Sequence, residues 1–143
     1  MGTQLSPSDR DHKVGVEDQQ FAQSMDLLVA GSVSASTSTP LAAMICKRAC
    51  KIRNLAASCL SANDGSSTSL ITLAVYKNGA AVSGATLSMT APSSTGQVSG
   101  SRGMDVTCVA GDVIDLRVSA VPTGGDAAAS DLMARLDAVA NFA

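Results

Sequence analysis

The sequence predicts an all-β sandwich or barrel of roughly eight to ten short strands, and three observations carry that reading. In Leu70 to Val82, Ile71, Leu73 and Val75 alternate with Thr72, Ala74 and Tyr76, and Lys77-Asn78-Gly79 interrupts before Ala80 to Val82 resumes. Asn-Gly between two apolar runs marks a hairpin, because a type I′ turn needs positive φ at both central residues. The same grammar returns around Ala110-Gly111-Asp112, where Met104, Val106 and Cys108 precede the turn and Ile114, Leu116, Val118 and Ala120 follow it. Finally, segments rich in Ser, Gly, Asn and Pro recur at the roughly 8–12 residue spacing of such folds.

Residues 1–25 read as a polar arm of mixed charge, with a short helical turn over Val16 to Met25. An arm of this kind is disordered or pinned by a neighbouring subunit. Leu27 to Ser38 is the first strand, with Leu27, Val29, Val33 and Ala35 alternating and Gly31 as a bend or bulge. Thr39 to Leu60 carries two patterns. Thr39-Pro40 followed by Leu41, Ile45, Ala49, Ile52, Leu55 and Cys59 has helical spacing, while Cys50 and Ile52 alternate with Lys51 and Arg53 as in a strand. The surrounding β pattern favours two strands split near Lys47-Arg48. Ser61 to Ser69 is a loop by composition. Gly84 to Thr90 is a short strand with Leu87 and Met89 on one face, ended by Pro92. Ser93 to Gly103 is Ser/Gly-rich, with one short edge strand near Gln97-Val98. After the second hairpin, Pro122 to Asp126 is a loop. Leu132, Ala134, Leu136 and Ala138 then face inward on the last strand, with Met133, Arg135 and Asp137 outward.

The 143 residues suffice for one domain with a core. Aromatics are only 2 %, so the core must be built from Ala, Val, Leu, Ile and Met. Charged residues are 15 % and the net charge is −2, which argues against a basic nucleic-acid binder. No apolar run reaches the roughly 18 residues of a membrane span. Met1 to Asp11 lacks an apolar h-region, so no secretory signal is expected and reduced thiols are the default for Cys46, Cys50, Cys59 and Cys108. Their spacing does not match a zinc knuckle, and small hydrophobic core filler is the favoured reading.

No catalytic constellation stands out. His12 is the only histidine, and no G-x-S-x-G surrounds a serine. Asp112 and Asp115 read as turn and solvent-facing residues, and Asp126 and Asp131 as lying in or beside a loop, rather than as a carboxylate pair for glycoside hydrolysis. No cofactor is expected. Lys47, Arg48, Lys51 and Arg53 form the one concentrated charge feature. It reads first as a solvated face or a protected strand edge. The sharper reading is a docking stripe for an acidic protein surface. Nucleic acid ranks last, because no aromatics interleave with the cations.

The order of motifs, with S-A-S-T-S-T-P-L-A, S-A-N-D-G, V-Y-K-N-G, A-G-D-V-I-D-L-R-V and D-L-M-A-R-L, resembles the small β-modules of tailed-phage virions, and most of all a capsid cement (decoration) protein. The resemblance implies a jelly-roll β-sandwich of about eight strands over residues 26–143, with the extended N-terminal arm before it. It also implies a non-enzymatic structural protein on the outside of the phage head, assembled in the host cytoplasm. Its partners would be the major capsid protein and itself, as a homodimer or homotrimer, without nucleic acid or membrane. Val16, Phe21 and Met25 of the arm, with Lys47, Arg48, Lys51 and Arg53, are the expected contacts. The alternative is a tail, fibre or baseplate module that binds a host receptor or glycan.

Overall fold

The period-two pattern builds two four-stranded antiparallel sheets in the computed structural model, which describes residues 22–62, 71–89, 96–121 and 128–141. The strands are β1 (Ala22–Ser32), β2 (Ala42–Ile45), β3 (Cys50–Ala62), β4 (Ile71–Lys77), β5 (Ala80–Met89), β6 (Gly96–Cys108), β7 (Val113–Ala120) and β8 (Ala128–Ala140). One sheet has the order β1-β8-β3-β6 and the other β2-β7-β4-β5. Apart from the β4–β5 hairpin, successive strands cross from one sheet to the other, which is jelly-roll wiring.

The core lies between the sheets. Ile52, Leu55, Leu132 and Leu136 meet Ile71, Leu73, Val75, Ile114, Leu116 and Val118, and all are buried. Each such side chain contributes about 1.5–3 kcal/mol on leaving water. Gly100 of β6 also faces inward: a Cβ there would stand 3.3 Å from Met89 Cγ and 3.5 Å from Leu87 Cδ1. Glycine lets β6 approach β5 closely.

The two hairpin turns are tied to each other. Asn78 and Gly79 have φ of 52° and 84°, as the Asn-Gly signal requires. The Asn78 backbone amide donates to the Val113 carbonyl at 2.8 Å, and its side chain accepts from the Val113 amide at 2.9 Å. Asn78 Nδ2 donates to Asp112 Oδ1 at 2.9 Å, while Asp112 Oδ2 accepts from the Val109 amide at 2.9 Å. These donors, Asn78 first, hold the Asp112 carboxyl below its ordinary range.

Several expectations meet the structure directly. Residues 41–59 are indeed two strands, separated at 46–49. Gly31 has a φ of 82° at a register shift in β1, and its amide donates to Asp131 Oδ1 at 2.8 Å. Asp131 lies near the start of β8, beside the expected loop rather than in it. The Ser/Gly stretch is not a loop with a short strand: Gly96 to Cys108 is one continuous edge strand. The boundary expected at residue 25 falls inside β1, whose first residue is Ala22. There is thus no helical turn over residues 22–25, and Met25, an expected partner contact, is buried in the core at 6 % exposure. Val16 and Phe21 lie outside the described residues.

Candidate interaction surface

The outer face of the β1-β8-β3-β6 sheet is where the molecule presents a shaped apolar surface. Strand register sets its composition row by row. Leu28, Met133, Ser58 and Ser99 stand side by side across the four strands, and Asp26, Arg135, Ala56 and Ser101 form the next outward row. Leu28 is 69 % and Met133 49 % exposed. Large side chains thus rise from β1 and β8, while β3 and β6 carry Ala and Ser. The step between them is a shallow groove of about 720 Å³. Arg135 Nε donates to Asp137 Oδ1 at 2.9 Å and lies 3.9 Å from Asp26 Oδ1, so the tall half also carries a partly self-compensated charge cluster. Leu60 and Val139 extend the exposed apolar area of the same sheet.

The opposite sheet has a different outer face. Asp115 was expected to face solvent, and period two does place it outward, yet it is only 4 % exposed. Tyr76 and Ala43 are its cross-strand neighbours. Arg117 reaches back along β7 with Nε 2.7 Å from Asp115 Oδ1 and Nη2 3.0 Å from Oδ2, a bidentate pair. Its Nη1 donates to the Thr37 carbonyl at 2.6 Å, and the guanidinium carbon sits 4.0 Å from the Tyr76 ring centroid. The hydrogen bonds Arg117 donates to Asp115 push its pKa up. This cluster fastens the segment before β2, whose Ser36 and Leu41 amides also bond to the Val118 and Leu116 carbonyls of β7.

The basic residues do not form one stripe. Lys47 and Arg48 are exposed in the corner between β2 and β3, before the strand begins, so Lys47 does not share a strand face with the other two. Lys51 and Arg53 lie on β3, which has β8 and β6 as neighbours, so a protected-edge role is overturned. Both approach Asp105, at 3.3 and 3.4 Å. Exposed pairs of this kind contribute about 0–1 kcal/mol. Gln23 Nε2 donates to the Ile45 carbonyl at 2.6 Å, and its Oε1 accepts from the Lys47 amide at 3.1 Å, so the start of β1 is stitched to the same corner.

All four cysteines are buried free thiols, consistent with core filler. Burial raises the pKa of Cys59 and, with neighbouring thiols contributing, that of Cys46 and Cys108. Their spacing carries no sign that three of them meet: the sulfurs of Cys46, Cys50 and Cys108 all lie within 4.8 Å of one another.

No protein-family model matches the chain, and no curated protein matches it. Among solved structures, it is similar to the globular domain of the zebrafish complement 1qA protein, with 16 % identity and a TM-score of 0.52. The match covers 85 % of this chain and 98 % of that one. At this identity the likeness concerns the fold, and it agrees with the jelly-roll sandwich.

Proposed function

We propose that the chain is a structural protein that self-associates through the outer face of the β1-β8-β3-β6 sheet and, as a homo-oligomer, clamps major capsid protein subunits on the outside of a phage head. The stepped face is the observation that carries the self-association. Its tall half, Leu28 and Met133, has the shape to seat on the low half, Ser58 and Ser99, of a second copy. Such self-complementarity closes either as a two-fold pair or as a ring. Support for the virion reading comes from the resemblance of the V-Y-K-N-G and A-G-D-V-I motifs to virion β-modules.

In this reading the arm, with Val16 and Phe21, and the corner bearing Lys47 and Arg48 contact the capsid. Among the described residues Lys51 and Arg53 share the single carboxylate of Asp105, which leaves net positive charge nearby. Many weak contacts repeated by symmetry give such a clamp its strength. A receptor- or glycan-binding tail module has less support. Among the described residues the only aromatic ring is Tyr76, and it stacks under Arg117 instead of offering a platform for sugar.

The test is co-sedimentation of purified protein with expanded capsids, using the full chain and a chain lacking residues 1–20. The full chain should bind and raise the temperature at which the capsids rupture, and the truncated chain should bind more weakly. Absence of binding by the full chain, or indifference to the deletion, contradicts the proposal.

A further inference from the structure

We infer that Cys46, Cys50 and Cys108 form a binding site for a soft, thiophilic divalent metal ion of the zinc class. The fold brings together residues that are far apart in sequence. Cys50 opens β3 and Cys108 closes β6, and the two are directly opposite in the antiparallel register. Cys46 follows β2 of the other sheet. Its backbone is pinned at both ends to the β6–β7 turn: its amide donates to the Asp112 carbonyl at 2.8 Å and its carbonyl accepts from the Gly111 amide at 2.9 Å. The three thiols therefore converge where the two sheets meet at one end of the sandwich.

Core packing alone calls for small apolar side chains here, and Ala or Val would serve. Three sulfurs within 4.8 Å of one another are a donor set. A tetrahedral zinc–thiolate centre, with Zn–S near 2.3 Å, has sulfurs about 3.8 Å apart, so contraction by roughly 1 Å or less closes the site. Thiolates select soft ions over magnesium or calcium. Three protein ligands is the donor count of an open zinc site, and here the fourth position is enclosed, since the three cysteines are at most 1 % exposed. Charge favours a divalent ion. Three thiolates and one divalent ion leave a single net negative charge, and Lys77, whose ammonium donates to the Thr107 carbonyl at 3.1 Å beside Cys108, is placed to offset it. A monovalent ion would leave two. On binding, each thiol gives its proton to solvent: one M²⁺ and three S–H groups yield the tris-thiolate complex and three H⁺. The bound ion would fasten the β2–β3 corner to the β6–β7 turn and so tie one sheet to the other.

The experiment titrates Cd²⁺ into the fully reduced chain under anaerobic conditions and follows the thiolate-to-metal charge-transfer absorbance. Melting curves with and without equimolar Zn²⁺ accompany it. Cys59→Ala is the control, because Cys59 is as buried as the others and stands outside the cluster. The expected result is saturation at one ion per chain in the parent and in Cys59→Ala, and loss of the band in Cys46→Ala and Cys108→Ala. Zn²⁺ should raise the parent Tm by about 5–10 °C, as tight binding to the folded state alone requires. A parent chain that shows no charge-transfer band and no Zn²⁺-dependent shift in Tm overturns the inference, whatever the variants do. This outcome is independent of capsid binding.

Discussion

On one side of the sandwich, β7 and β4 turn Asp115, Arg117 and Tyr76 outward, and the three satisfy one another and hold the Thr37 carbonyl. On the other side, β1 and β8 turn Leu28 and Met133 outward, and nothing in the chain's described residues covers them. Both faces obey the same alternation of in and out. The difference lies in what the outward positions do. A polar cluster that closes on itself satisfies the middle of one face within the single chain, while Ile45 and its cross-strand neighbour Val113 stay exposed at the end of that face. Apolar side chains standing beside Ala and Ser leave the other face with surface still to bury. A sandwich can be stable as a monomer and yet finish its burial only against another molecule.

The sharpest way to separate the two faces is to break the self-paired cluster. Asp115→Ala leaves the largely buried Arg117 with, among the described residues, the Thr37 carbonyl and the Tyr76 ring. Loss of one partner from a buried pair costs about 3 kcal/mol, readable in urea unfolding. Association should survive in whatever fraction remains folded. The same substitution with Arg117→Met should recover part of the loss, since a well-packed apolar group avoids the stranded charge.

A smaller effect is expected at Gly100. Gly100→Ala presses a methyl on Met89 and Leu87 from the inside of the β1-β8-β3-β6 sheet. Both neighbours are flexible, so unfolding should shift by about 1 kcal/mol, with the outer face unchanged. A loss of association without a loss of stability would show that the curvature of β6, rather than its small outward residues, shapes the step.

The smallest effect is in the interlocked turns. The Asp112 carboxyl has its pKa lowered by the Asn78 and Val109 donors. A group whose folded pKa is depressed contributes stability above its unfolded pKa and loses it as pH falls through the folded value. Stability should therefore decline slightly more below the ordinary value of 3.8 in the parent than in Asp112→Asn. Urea midpoints across that range check this.

The sequence made the two hairpins legible because each combines alternation with a turn whose backbone demands are local. Asn78 and Gly79 do what their φ preferences dictate. The start of β1 was not legible: the strand was read from Leu27, and the polar run before it made Val16 to Met25 look like an arm with a helical turn, although Met25 shares the buried face of Leu27. β6 was hidden for a different reason. Its Ser and Gly residues have weak strand propensity, and they are there for space: Gly100 inward, Ser99 and Ser101 outward. Tertiary pairing with β3 overrides propensity at such positions. Asp115 was read correctly as outward and wrongly as solvated, because Tyr76 and Ala43 stand beside it only through the fold. The convergence of Cys46, Cys50 and Cys108 depends on strand register across 58 residues, from Cys50 to Cys108, which no local pattern encodes.

The central claim is that the bare face is the self-association surface, and sedimentation velocity on the parent and on Leu28→Glu/Met133→Glu tests it most directly. Both positions are exposed, so the double variant should unfold within about 0.5 kcal/mol of the parent. The account predicts a dimer or trimer for the parent and a folded monomer for the variant. A parent that sediments as a monomer at high concentration, or a variant that stays oligomeric, contradicts it.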